Sequence, residues 1–144
     1  MAIIVINPYQ YAAPIGPSAD PYSDYVSLLL HGNGTNNSTT FTDSSSYNHT
    51  VTANGDAKIS TAQKKFGGAS MYFDGSGDWV SAANSTAFAF GTGDFTVEAW
   101  VYINASTAYV LETRTSLYNA GFGYSFRTSG PRIWDGVGQA FLYT

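Results

Sequence analysis

The 144-residue sequence predicts an all-β chain: two antiparallel sheets packed as a sandwich, preceded by an extended N-terminal arm. Three observations predict it. Short apolar or alternating runs recur, with turn residues about every 8–12 positions. No segment carries a 3.6-residue apolar period. The longest alternating run, 95–103, puts Phe95, Val97, Ala99, Val101 and Ile103 on one face and Thr96, Glu98, Trp100 and Tyr102 on the other.

Residues 1–25 form the arm. Four of the five prolines lie there (Pro8, Pro14, Pro17, Pro21), interspersed with Tyr9, Tyr11, Tyr22 and Tyr25. Proline fixes φ and removes a donor, so this stretch is expected to dock on another surface rather than to join a sheet; 3–6 is the one short strand within it. The sandwich is expected over 26–144. Residues 26–30 read as a short strand buried on both faces, ended by the turn His31-Gly32-Asn33-Gly34. Weak strands follow at 39–42, 50–53 and 57–61, with the turn Asn54-Gly55-Asp56 between the last two. Strands at 70–73 and 79–82 flank the turn Asp74-Gly75-Ser76-Gly77-Asp78. Gly91-Thr92-Gly93-Asp94 opens the long run at 95–103. Beyond it, 108–113 places Tyr109 and Leu111 on one face and Val110 and Glu112 on the other. Residues 121–128, 132–134 and 139–143 complete the strands, with a turn at Ser129-Gly130-Pro131.

Composition narrows the function classes. Apolar residues make up 44% and aromatic residues 16%, enough for burial to drive folding, while charged residues are only 11%. The surface must therefore be built from Ser, Thr, Asn and Gly, a surface suited to sugars or neighbouring subunits. The net charge is −4, and Lys64-Lys65 is the one basic pair, which argues against nucleic-acid binding. There is no cysteine, so thiolate and disulfide chemistry are excluded. No apolar run approaches ~18 residues, so no membrane-inserted helix is expected. Residues 3–6 are too short, and lack preceding basic residues, to read as a signal peptide. A virion protein released by lysis would need none.

Both faces of 95–103 turn apolar towards the C-terminal end, through Trp100 and Tyr102. Burying one such ring contributes about 1.5–3 kcal/mol. Both are therefore expected to lie under a loop, under the arm or in a concave groove.

Three segments resemble the laminin-G-like, concanavalin-A-like domain of the bacterial and phage type: LLLHGNGTNNSTTFTDSSSYNHTVT (28–52), ISTAQKKFGGASMYFDGSGDWV (59–80) and FGTGDFTVEAWVYI (90–103). The resemblance implies a jelly roll with one convex and one concave sheet, and a carbohydrate-binding, protein-binding or structural role. In bacteriophages such domains resemble parts of tail fibres, tail accessory proteins and capsid decorations. The chain departs from the pattern in places. Gly32-Asn33 stand where relatives commonly have Phe-Asp, and the stretch Asp43 to His49 lacks two glycines that relatives often carry. The second half of the domain is not recognisable, and the chain stops within an apolar run at Phe141-Leu142-Tyr143-Thr144. An open sandwich edge would expose backbone donors, so completion by further chain or by a neighbouring subunit is expected.

Candidate chemistry is sparse. Sandwich glycosidases need two carboxyl groups at a defined separation, and Glu98 has no carboxylate two residues away on its strand; it reads as an exposed strand residue, and no enzyme activity is expected. His31 and His49 have no further ligands at zinc-like spacing and read as turn or core histidines. No serine sits in a nucleophile elbow, and the glycine turns do not open helices. Asp74 and Asp78 flank a glycine turn, with Asp43 and Asp94 at others. Loop oxygens suit Ca²⁺, while aspartate also serves turns through local hydrogen bonds; Asp74 and Asp78 are the metal candidates. Six Asn-x-Ser/Thr sequons are explained by an Asn/Ser/Thr-rich composition.

These readings lead to an expectation of a non-enzymatic structural or adhesion protein of a phage particle, oligomeric with other virion subunits. The alternative is a module binding cell-surface glycans through Trp100, Tyr102 and Tyr109.

Overall fold

The structure, a computed structural model, describes residues 23–89, 94–103, 107–112, 123–127, 130–134 and 139–141. The chain is all-β and antiparallel. Its strands are β1 (Phe41–Thr42), β2 (Thr50–Asn54), β3 (Lys58–Ser60), β4 (Ser70–Tyr72), β5 (Trp79–Ala82), β6 (Thr107–Glu112), β7 (Gly123–Arg127), β8 (Gly130–Trp134) and β9 (Gln139–Phe141). They form three sheets, ordered β1-β2-β5, β3-β4 and β6-β7-β8-β9. Two 3₁₀ turns, Ser23–Tyr25 and Thr86–Phe88, are the helical elements among the described residues. None of the described helices is long and apolar enough to cross a membrane.

Most predicted strands are present within a residue or two. The three-strand sheet is pinned by Val51, paired with Phe41 on one side and Ala82 on the other. Alternation explains β5: Val80 and Ala82 are buried while Trp79 faces out. In β3 Ile59 is fully buried between Lys58 and Ser60. Its backbone also pairs with the preceding loop, since Ile59 N donates to Ser38 O (2.7 Å) and Asn37 N donates to Ile59 O (2.8 Å). Gly55 takes φ +66° in the β2–β3 turn, the left-handed conformation that the Asn-Gly pair anticipates.

Four expectations are corrected. Residues 26–30 are not a ladder strand: Leu28, Leu29 and Leu30 are buried as expected, but Leu30 makes a single bridge to Asp43. Residues 95–103, the longest alternating run, are not assigned to any sheet. Alternation survives there only in part, because Val97 and Ala99 are half-buried and their neighbours are exposed. A strand pattern specifies which side faces the core; ladder bonds also require a neighbouring edge in register. In β6 the register shifts between Tyr109 and Leu111, and this bulge turns Val110 and Leu111 both inward, against the two-face alternation expected. Gly130 and Pro131 belong to β8, opposite Arg127 and Phe126, rather than to a turn.

The core gathers Leu28, Leu30, Phe41, Ala57, Ile59, Ala69, Val80 and Leu111, with Val51, Met71, Phe88 and Val97 packed against it. The proposed arm lies largely outside the described residues. Its last three, Ser23–Tyr25, form a 3₁₀ turn rather than extended chain, with Tyr25 exposed.

Candidate functional site

Among the described residues Asp43, 3% exposed at the end of β1, gathers a dense set of hydrogen bonds. Its Oδ1 accepts from Leu29 N (3.0 Å) and Ser45 N (2.9 Å). Its Oδ2 accepts from Ser45 Oγ (2.8 Å) and His49 N (2.8 Å), and His49 Nδ1 lies 2.8 Å away. A carboxylate can only accept, so Nδ1 carries the proton in that contact. Burial pushes the Asp43 carboxyl up, but the bonds from Leu29, Ser45 and His49 outweigh it and bring the group down to about 2, from an ordinary 3.8. The His49 ring stacks between Tyr47 (centroids 5.6 Å apart) and Phe88 (4.8 Å). This knot ties 28–30 to the 43–49 loop where ladder bonds are missing. With both oxygens occupied by donors, Asp43 has no place for a cation.

The metal candidates Asp74 and Asp78 are brought together, with their oxygens turned to backbone donors. Asp78 accepts from Asp56 N (2.6 Å) and Asp74 N (2.8 Å), and Asp74 accepts from Ser76 N (2.7 Å). The Asp74 amide above all, then the Asp56 amide, the Asp74 side chain and the nearby Lys58 charge, hold the Asp78 carboxyl below its usual range against the opposing effect of desolvation. The arrangement locks two turns onto one another. Among the described residues no group of three or more His, Cys, Asp or Glu is placed to share a metal.

The ligand candidates lie on the surface. Trp100 is 48% exposed, Tyr109 51% and Tyr102 76%, in place of the cover expected for the first and last. Val101 and Ile103 are exposed too, so four consecutive apolar or aromatic side chains meet solvent. Trp100 is braced from one side: Phe66 meets it edge-on at 5.5 Å, and Lys65 Nζ sits 5.0 Å from its ring centre and 6.0 Å from that of Phe66. Glu98 is exposed two residues earlier. Among the described residues neither Lys65 nor Glu98 has an ion-pair partner.

His31 lines a cavity of about 40 Å³ with Leu30, Gly32, Phe41, Ile59 and Met71, a space on the scale of a water molecule or two. Sequence reasoning placed Asp43 and His49 at turns without connecting them. The available signal was an aspartate opening a Ser-rich turn six residues before a histidine, a spacing that becomes contact only when the turn folds back. The Lys65–Trp100 contact, 35 positions apart, left no such signal.

Comparison with family models, with curated proteins and with solved structures finds no match to this chain.

Proposed function

We propose that the chain is a non-enzymatic structural or adhesion module of a bacteriophage particle, a jelly-roll sandwich that joins other virion subunits through its N-terminal arm. The observation that carries this reading is the exposed run Trp100-Val101-Tyr102-Ile103 on an otherwise charge-poor β-chain. Large apolar side chains open to solvent are the material of interaction sites, and a surface with few charges does little to keep copies apart. The all-β antiparallel architecture agrees with such a module. The two elaborate polar clusters, around Asp43 and Asp78, are taken up by backbone donors and, at Asp43, by the Ser45 and His49 side chains, and serve the fold. A second reading, glycan binding, is favoured by the exposure of Trp100, Tyr102 and Tyr109, since aromatic faces open to solvent are platforms for sugar rings.

Deleting residues 1–25 and following incorporation into particles or oligomers tests the first reading. The expected outcome is loss of incorporation with the sandwich still folded by circular dichroism. Unchanged incorporation removes the docking role of the arm.

A further inference from the structure

We propose that Asn33 is a site of self-modification, where its side chain closes on the Gly34 amide to a succinimide and reopens as aspartate or isoaspartate. Asn-Gly pairs occur at Asn33-Gly34 and at Asn54-Gly55. A glycine after asparagine suits this chemistry, because no Cβ hinders approach to the glycine nitrogen. In the first step the Gly34 backbone nitrogen loses its proton and attacks Asn33 Cγ. The bond from Cγ to Nδ2 breaks and ammonia leaves. Water then opens the imide ring. Attack at one carbonyl gives aspartate; attack at the other gives isoaspartate, with the backbone routed through the former side chain. Water is the sole co-reactant, and no electrons are transferred.

The fold gives the two pairs opposite surroundings. Asn54 ends β2, paired with Trp79. Its Nδ2, the group that would leave, donates to Thr52 O and to Ser81 Oγ, each at 3.3 Å. These bonds hold the amide back over its own strand and across to β5. Gly55 is packed so closely against Gly77 that a Cβ would meet Gly77 O at 2.6 Å, and Asp56 N donates to Asp78 Oδ1 (2.6 Å). The Gly55 nitrogen therefore reaches Asn54 Cγ only if this locked turn opens. Asn33 and Gly34, by contrast, are both exposed and lie outside the described strands. Asn33 Oδ1 leans on Gly67, where a Cβ would meet it at 2.5 Å. Oδ1 is the atom that the ring keeps. Nδ2, the atom that it expels, has no hydrogen-bond partner among the described residues.

Incubation of the full chain at mildly alkaline pH, with both asparagines followed by fragment-ion mass spectrometry, tests the proposal. Base speeds the reaction because the attacking amide must lose its proton. The folded chain should convert Asn33 at least about tenfold faster than Asn54, which must wait for its turn to open. Matching circular dichroism before and after incubation keeps the comparison on the folded chain. Each conversion adds one negative charge to a chain of net charge −4, so anion exchange gives a second readout. The product at 33 should include isoaspartate, detected by an isoaspartyl methyltransferase. In urea the bonds around Asn54 are lost, and the two rates should converge. Equal rates in the folded chain, or faster loss at Asn54, overturn the proposal. So does conversion of Asn33 in urea alone, or conversion that yields aspartate without isoaspartate. Rates that stay apart in urea overturn the role given to the locked turn.

Discussion

Five donors converge on the Asp43 carboxylate, and the resulting stabilisation has a definite sign with pH. The group titrates near 3.8 when unfolded and at about 2 when folded. Its contribution is therefore complete above about pH 4 and is lost as the pH falls towards 2; the shift corresponds to about 2 kcal/mol. Urea unfolding between pH 5 and pH 2 should show this loss in the native chain. Asp43→Asn should lower stability at pH 5 by about 2–3 kcal/mol, since an amide cannot accept from all five donors, and should flatten the acid dependence. Asp74 and Asp78 lead to a different expectation. Their bonds to Ser76, Asp74 and Asp56 amides account for both side chains as turn locks. Calcium titration should release no heat, and EDTA should leave the melting temperature unchanged; a calcium-dependent rise would restore them as metal ligands.

The element scale shows where local chemistry is strict and where it is permissive. Gly55 occupies φ +66°, and a Cβ there would meet Gly77 O at 2.6 Å as well as the Asp78 carboxylate. Gly55→Ala should cost about 1–3 kcal/mol by thermal denaturation. Gly68, with nothing within 4 Å of a Cβ, should tolerate alanine as the control. Turns of this kind were legible because Asn-Gly-Asp and Asp-Gly-Ser-Gly-Asp have few conformations available to them. Strands β2 to β5 were legible because apolar alternation and turn spacing agreed. The run 95–103 had the strongest alternation, and it is not in a sheet. Its pattern describes one chain, whereas a ladder is a property of two. Residues 28–30 make the same point from the other side. Three leucines report burial correctly, while their backbone is held by the Asp43 side chain, 14 positions from Leu29, and by a single bridge to 43–44 rather than by a full ladder.

For the whole molecule, the N-terminal arm is the surface proposed to carry assembly. The arm is tested by removing 1–25 and following incorporation. Low charge favours assembly at the level of composition: 11% charged residues leave little repulsion between copies. Composition carries no trace of the contacts that bring Lys65 and Phe66 to Trp100 from a different part of the chain.

Taken by itself, the amino-acid sequence determined the all-β class, most strand positions, the turn glycines and the leucines of the core. Each of these rests on interactions between residues close in the chain or on a period set by backbone geometry. Tertiary structure alone decided that Asp43 and His49 form a buried knot, that Asp78 closes two turns and that 95–103 stays outside the sheets. It also decided that Trp100 stands half-exposed with Lys65 over its ring. The physical reason is common to all four: each depends on a donor, an edge or a charge supplied from elsewhere in the fold, and its free energy exists only once the chain has brought the two together.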